Sequence, residues 1–398
     1  MNDGPTVIRE RGTAIQNATE GLRAESVEGR AAWLSAAADL LLSEVCEAKD
    51  ALAETTGLSA PMVEWGARTT LETVSEKALR ALADEAPKGE PISMLSLVLA
   101  GNLFTASVRA VVVPLLLGVP VLAKTSSRET LFPQMLRDAL RRTDSELGKA
   151  IDLVAFPGGD IECERALIEA ADAVAVYGGD ETVDAIRARH PDTPLVAHGH
   201  GVSVVYCGRH ALADDRIEQT ISALALDTCA YDQRGCLSPQ IVYVESSPDC
   251  SGERFAERLA AEGLDPLGTE LPRGPLPLDV GAAQAQWRGL AEVEGSLIAG
   301  DSFGIAVRGR GPVRWSPGYR NVTVAPVEGL AGAMRAMTPL GHGLKCVGAD
   351  AGSWIDVRAH LAQSQELTAY ATPLGTMQTP ALDAPADGEP IWRGLVRP

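Results

Sequence analysis

From residue 92 onward the apolar residues collect into short runs rich in Val, Ile and Leu: Ile92 to Leu99, Val119 to Ala123, Ile151 to Ala155, Ala173 to Tyr177 and Leu195 to Ala197. Between these runs, residues 103–117, 130–142, 161–171 and 181–189 carry apolar positions at helical spacing. Short apolar strands alternating with amphipathic helices predict a doubly wound parallel sheet covered on both faces, its five strands joined by four crossovers. Upstream, residues 14–86 alternate Ala/Leu-rich stretches with charge. Trp33, Leu34, Ala37, Ala38, Leu41 and Leu42 recur at a period of 3.6, which predicts a helical N-terminal region. Downstream, Val202 to Tyr206 reads as a strand, 211–229 as a helix and Gln240 to Glu245 as a strand, with mixed α/β pattern to about residue 367. Residues 264–281 are rich in Pro and Gly and read as a long surface connection, and the Pro-rich last thirty residues read as an arm. The expected organisation is two α/β domains, 1–201 (with the helical N-terminal region) and 202–372, followed by an arm, 373–398. No internal repeat is found.

In open α/β sheets ligands bind outside the carboxyl ends of the strands, so the strand exits matter most. They read Gly101-Asn102, Lys124-Thr125-Ser126-Ser127, Pro157-Gly158-Gly159-Asp160, Gly178-Gly179-Asp180 and His198-Gly199-His200-Gly201. Glycine and small polar residues end strands in any case, but five such exits in series, one carrying a lysine, point to a nucleotide crevice. No exit matches G-x-G-x-x-G, and no G-x-x-x-x-G-K-[ST] occurs, so a cofactor site would be of another kind.

The chain has 398 residues, 45% of them hydrophobic, which is enough apolar surface for sizeable cores. With 35 Lys+Arg against 53 Asp+Glu, the net charge of -18 repels phosphate backbones and anionic lipid. Nucleic acid and membrane surfaces are therefore not expected partners. Residues 1–16 mix acidic and basic side chains without an apolar core, so no signal peptide is expected. The longest apolar run, Val108 to Leu122, is broken by Arg109, Pro114, Gly118 and Pro120, and no membrane insertion is expected. The seven cysteines are widely spaced without a C-x-x-C pair, which argues for a reducing, cytoplasmic compartment rather than a disulfide framework or a zinc site.

Among those cysteines Cys236 stands out, in the polar turn Tyr231-Asp232-Gln233-Arg234-Gly235-Cys236-Leu237-Ser238-Pro239. Arg234 favours a thiolate, Gly235 admits a substrate to the backbone, and the turn exposes the sulfur. Cys46, Cys163 and Cys346 lie in helical or amphipathic context and are assigned to packing. His198 and His200 form an H-x-H without a third ligand at metal spacing, so no metal is expected. Either both satisfy local backbone groups or one assists proton transfer at Cys236, and His200 is the catalytic candidate. Asp180 and Asp232 read as turn residues.

Gly101-Asn102, Lys124-Thr125-Ser126-Ser127, Gly178-Gly179 and a Cys before a strand, in that order, resemble the aldehyde dehydrogenase superfamily. Several further blocks are similar to one branch, the bioluminescence-type (LuxC-like) acyl-CoA reductases: Tyr177 to Thr182, Gly199 to Ser203, Asp232 to Pro239, Ser316 to Arg320 and the late Asp387-Gly388. The likeness covers about residues 90 to 398. It implies an aldehyde dehydrogenase-like fold, with a nicotinamide-binding domain at 1–201 and a catalytic cysteine domain at 202–372. It also implies reduction of a long-chain acyl thioester to the aldehyde through a thioacyl-cysteine.

By that resemblance Cys236 is the nucleophile, and Asn102 joins the Cys236 amide in the oxyanion hole. Lys124, with Ser126 and Ser127, lies at the adenosine ribose, while Gly158, Gly178 and Gly179 let the pyrophosphate and nicotinamide come close. Ser127 stands where the superfamily has the Glu that pairs with the ribose 2′-hydroxyl, and this implies NADPH in preference to NADH. Ala197 stands where oxidising members carry the general-base Glu, with no carboxylate expected nearby, so the acyl group would be left for hydride or a thiol rather than for water. Ser316 to Arg320 replaces the superfamily's Glu-x-Phe-Gly-Pro ribose contact. The implied partners are acyl-CoA, an acyl-carrier protein or an acyl-protein synthetase as donor, and the arm resembles the exchanged arm of a homo-oligomer. Two rivals remain: a cysteine acyltransferase without redox chemistry, and a non-catalytic member that holds a partner enzyme.

Overall fold

The computed structural model describes residues 2–246, 250–308 and 315–397, which divide into two compact units. The first comprises residues 1–56, 63–200 and 381–398, and the second 57–62 and 201–380. Elements are numbered in chain order.

The first unit opens with helices α1 (Pro5–Asn17), α2 (Thr19–Ala24), α3 (Val27–Thr56), α4 (Ala60–Leu71), whose first turn belongs to the second unit, and α5 (Glu76–Glu85). The short strand β1 (Glu90–Pro91) leads into β2 (Leu95–Val98), α6 (Ala106–Leu116), β3 (Val121–Lys124), α7 (Leu131–Thr143) and α8 (Ser145–Lys149). Then follow β4 (Ile151–Val154), α9 (Ile161–Glu169), β5 (Ala173–Tyr177), α10 (Asp180–Arg189) and β6 (Leu195–His198). The five longer strands form a parallel sheet in the order β4-β3-β2-β5-β6. Val121, Leu122, Val174 and Val176 are fully buried, as strands covered on both faces require. The chain winds outward from β2 through β3 to β4, then returns to place β5 on the other side of β2. The topological switch therefore lies between β2 and β5, whose exits carry Asn102 and Gly178-Gly179.

The second unit holds β7 (Val202–Cys207), α11 (Ile217–Cys229), β8 (Pro239–Val244), α12 (Gly252–Arg258), α13 (Asp265–Glu270), α14 (Leu278–Glu294), β9 (Ser296–Ala299) and β10 (Gly304–Val307). It ends with β11 (Asn321–Pro326), α15 (Gly329–Met337), β12 (Leu344–Ala349), α16 (Trp354–Gln363) and β13 (Tyr370–Pro373). The strand order is β13-β12-β7-β8-β11-β10-β9, parallel except for the antiparallel edge strand β9. Alternate residues face opposite layers. Val205, Val242 and Val324 pack with α11 and α12, while Val204, Ile241 and Val347 pack with α15 and α16.

Three local expectations change. The stretch 264–281 is not a surface connection throughout: a widened helical turn, Leu259–Leu264, runs on from α12 into α13, and Leu264 is fully buried. Pro266 opens α13 directly after this widened turn, and a Cβ on Gly263 would stand 2.9 Å from Ile221, so the turn packs against α11. The expected helix 211–229 divides into a short turn, Arg209–Leu212, and α11. Cys346 lies on β12, not on a helix.

The stretch read as a separate arm is shared out. β13 extends the second sheet, and residues 381–397 lie on the first unit, where β14 (Val396–Arg397) pairs antiparallel with β1. Arg109 on α6 donates to the carbonyls of Leu382 and Ala384, and Arg397 bonds Asp172 at 3.0 Å. Pro398 lies outside the described residues.

Among the described residues no helix is long and apolar enough to cross a membrane.

Candidate active site

In the first unit the exits of β2, β3 and β4 meet. Asn102 occupies an exposed bend after β2. Gly101 has no room for a side chain, because a Cβ there would stand 2.2 Å from Ser126 Oγ. Ser126 Oγ accepts the Arg128 N–H at 3.2 Å, which shapes the turn and leaves Ser127 exposed. Lys124, half-buried at the end of β3, donates from Nζ to the Thr125 carbonyl at 3.1 Å and lies 5.1 Å from the Phe156 ring centroid. Burial lowers its pKa from the usual lysine value. Gly158 is exposed, with nothing within 4 Å of the position a Cβ would take. Glu129, 5% exposed, accepts the Phe132 N–H at 2.8 Å at the start of α7, and burial raises its pKa.

The exits of β5 and β6 form a second group. Gly178 N–H donates to the His198 carbonyl at 3.2 Å, and a Cβ on Gly179 would lie 3.4 Å from the His200 ring. His200 is exposed, and its backbone N–H donates to Asp180 Oδ1 at 3.1 Å, so Asp180 ties the two exits together. His198 has a different setting: its ring stacks on Tyr177 at 4.3 Å, and Nδ1 lies 2.7 Å from Asp387 Oδ2. Sequence reasoning missed this pair, since 189 residues separate its members.

One expectation needs correction here. Ala197 does have carboxylates nearby, because the returning tail places Asp387 and Glu389 around the same small cavity, about 30 Å³. Both are engaged, Asp387 with His198 and Glu389 with Arg393 at 3.2 Å.

In the second unit Cys236 is the exposed cysteine of the seven, all of which are described. Burial pushes the Cys229 thiol up to about 11 and raises those of Cys163, Cys207, Cys250 and Cys346, which disfavours their thiolates. Cys236 follows an unusual turn: Tyr231, Asp232 and Gln233 have φ of 52, 54 and 57°, three successive non-glycine residues in left-handed conformation. Such a conformation costs roughly 1–2 kcal/mol per residue, so the surroundings must impose it.

They do so on every side. The Tyr231 N–H meets Met62 Sδ at 3.1 Å. Asp232, 1% exposed, accepts from Arg320 Nε at 3.0 Å and Nη2 at 2.7 Å, and from the Gly274 N–H at 3.0 Å. Asp232 is thus more than the turn residue it reads as in the sequence. Gln233 Nε2 donates to the Pro239 carbonyl at 2.6 Å and the Asn321 carbonyl at 2.7 Å, while its Oε1 accepts the Asn321 N–H at 2.8 Å. Ser203 Oγ, on β7, donates to the Cys236 carbonyl at 2.8 Å.

Beyond Cys236, Ser238 Oγ bonds Gln378 Oε1 at 3.2 Å. The loop carrying Gln378 is held by Asp227, which accepts from the Gly375 N–H at 2.6 Å and the Met377 N–H at 3.0 Å. Burial nevertheless raises the Asp227 pKa to about 7, against the opposing pull of those amides. Of these partners Arg320, Ser203 and Pro239 belonged to blocks the sequence singled out, but the link from Arg320 to Asp232 spans 88 residues.

Among the described residues no cluster of three or more His, Cys, Asp or Glu side chains could hold a metal ion.

Solved structures define the class first. The fold is that of the aldehyde dehydrogenases. It is similar to an NADP-dependent glyceraldehyde-3-phosphate dehydrogenase from Bacillus halodurans complexed with NADP, with a TM-score of 0.71 and 16% identity over 94% of this chain and 84% of that one. It is also similar to aldehyde dehydrogenase 21 from Physcomitrella patens, with a TM-score of 0.72 and 14% identity over 97% of this chain and 86% of that one. Within this class the chain belongs to the acyl-CoA reductase (LuxC) family, whose model matches residues 83–362.

Curated relatives include the long-chain acyl-protein thioester reductases of Aliivibrio fischeri, 28% identical over 220 residues, and Photobacterium phosphoreum, 26% identical over 182. The matches take in 54% and 44% of this chain but only 42% and 35% of those proteins, less than half the length of either relative.

Proposed function

We propose that the protein reduces an acyl thioester to the aldehyde through a thioacyl intermediate on Cys236, using NADPH. One observation carries this reading: in a chain of the acyl-CoA reductase family, Cys236 is the exposed cysteine, presented on a braced turn at the head of β8. Its thiolate attacks the thioester carbonyl, the new C–S bond forms, and the C–S bond to the donor breaks as the donor thiolate leaves. Asn102 and the Cys236 backbone N–H are the oxyanion donors in this proposal, and His200 is the group that passes a proton to the departing thiol. When bound, NADPH supplies the hydride that turns the thioacyl group into aldehyde and frees Cys236.

The residues of the first unit suit such a cofactor. Lys124 offers a half-buried amine at a strand exit, Gly158 is open to backbone approach, and Gly178-Gly179 stand beside the topological switch. Ser127 replaces the acid of the superfamily's ribose contact, with Ser126 beside it, and Glu129, the acid that follows, is buried in the cap of α7, which favours a 2′-phosphate and hence NADPH. Asp387 and Glu389 are both paired, so neither is a free base for activating water at Ala197. The relatives are named for long-chain acyl-protein thioesters and the family for acyl-CoA, which supports a long-chain acyl group delivered by CoA, a carrier protein or a partner synthetase; a cytoplasmic setting is part of the proposal. A homo-oligomer is part of the proposal, read by light scattering.

The test is intact mass after mixing with a long-chain acyl-CoA, for wild type and Cys236→Ala, followed by NADPH. A single acyl adduct absent from Cys236→Ala, and discharged as aldehyde by NADPH, supports the reductase. An adduct that NADPH leaves in place sinks it in favour of acyl transfer. Absence of any adduct removes acyl-CoA as donor.

A further inference from the structure

The turn before Cys236 and the turn before β11 are each strained, and each is held by the other. Tyr231 to Gln233 are left-handed, and so are Tyr319 and Arg320, at φ of 52 and 68°. L-residues leave this region unless something outside the turn holds them there. Between the two turns lies a fully buried ion pair, with both Arg320 Nε and Nη2 on Asp232 Oδ1. Beside it the Gln233 side-chain amide trades two hydrogen bonds with the backbone of Asn321, as a strand neighbour would. A buried ion pair is a weak source of stability, because desolvation offsets the attraction, but it is strict about geometry. Four residues beyond Asp232 the chain must deliver the Cys236 N–H and sulfur in one orientation.

Resting on the reading of Cys236 as the acyl-accepting nucleophile, we propose that the Asp232–Arg320 pair is the positioning device of that nucleophile. Neither residue is assigned a contact with substrate. They hold the left-handed turn so that the Cys236 backbone N–H and thiol are preset for the tetrahedral oxyanion, with Ser203 fixing the Cys236 carbonyl from the other side.

The experiment compares Asp232→Asn and Arg320→Lys with Asp350→Asn. Asp350 is 4% exposed, its carboxylate accepts the backbone N–H groups of Gly208 and Gly352, and it serves as a buried carboxylate remote in sequence from the turn. Three quantities are read: amide hydrogen exchange of 231–238, the single-turnover rate of acyl transfer to Cys236 at saturating acyl-CoA, and alkylation of Cys236 by iodoacetamide. Asp232→Asn is expected to speed exchange in 231–238 at least tenfold and to slow acylation at least tenfold with unchanged half-saturation. Alkylation, which needs no oxyanion geometry, should change less than threefold. Arg320→Lys keeps the charge but loses the forked donor, so it should fall between, and Asp350→Asn should leave all three unchanged.

Unchanged exchange in both turn variants overturns the proposal, as does faster exchange with unaltered acylation. If Asp232→Asn does not fold, Arg320→Lys decides by the same criteria. If wild type takes no acyl group, the functional reading fails, while amide exchange of 231–238 still tells whether the pair holds the turn: unchanged exchange in both turn variants refutes it.

Discussion

Asp227 shows how one buried carboxyl can set the pH response of the unit that carries Cys236. Its pKa is about 7 in the fold against 3.8 for the free side chain, with burial as the main cause. Because the folded value is the higher one, its stabilising contribution is complete below about pH 4, declines as the pH rises to about 7, and is flat above; a shift of this size is worth about 4 kcal/mol. Asp227→Asn removes that titration, so its stability deficit relative to wild type should shrink from pH 5 to pH 8. Thermal melting of the two proteins across that range checks it, and a deficit independent of pH would show that burial does not govern this group. At the reacting centre, Asn102→Ala should slow acylation of Cys236 by about 100- to 1,000-fold, the usual cost of losing one oxyanion donor, in a single-turnover measurement. An unchanged rate would remove Asn102 from the oxyanion hole.

At the scale of elements, the strands from 95 to 198 were legible because parallel strands buried on both faces leave continuous apolar runs, and the helices between them keep one polar stripe. Residues 264–281 misled because Pro and Gly mark loops, yet Pro266 stands in the first turn of α13, and Gly263 packs on α11. The exposure of Cys236 was legible from its neighbours. The partners of its turn were not, since Asp232 meets Arg320 across 88 residues and neither residue's period or composition hints at the other. His198 was hidden in the same way, through Asp387. The exits of β2 and β3 permit a test at this scale. Gly101→Ala would drive a Cβ against Ser126 Oγ and displace the 125–128 turn. NADPH should then bind about tenfold more weakly by quenching of tryptophan fluorescence, a change of about 1.4 kcal/mol. Undiminished binding in Gly101→Ala would place the cofactor elsewhere.

At the scale of the molecule, the first unit is discontinuous: residues 63–200 provide its sheet, and residues 381–397 return to its edge. The return is tied by β14 on β1, by Arg109, by Arg397 on Asp172 and by Asp387 on His198. A chain ending at Pro380 should melt at a lower temperature and become sensitive to protease near β6, whose Val196 and His198 lose the tail that lies against them. Melting unchanged by the deletion would make the tail an ornament rather than a part of the unit.

The same discontinuity orders events on the ribosome. Residues 201–380 are all translated before 381–397, so the unit that carries Cys236 has its full complement of residues while the unit proposed to hold the cofactor still lacks its last strand. A chain cut short before residue 381 would keep every residue of the unit around Cys236 but lose the strand pairing, the Arg109 contacts and the Asp387–His198 contact of the first unit, so under the proposed reaction it would take up acyl groups and discharge them poorly.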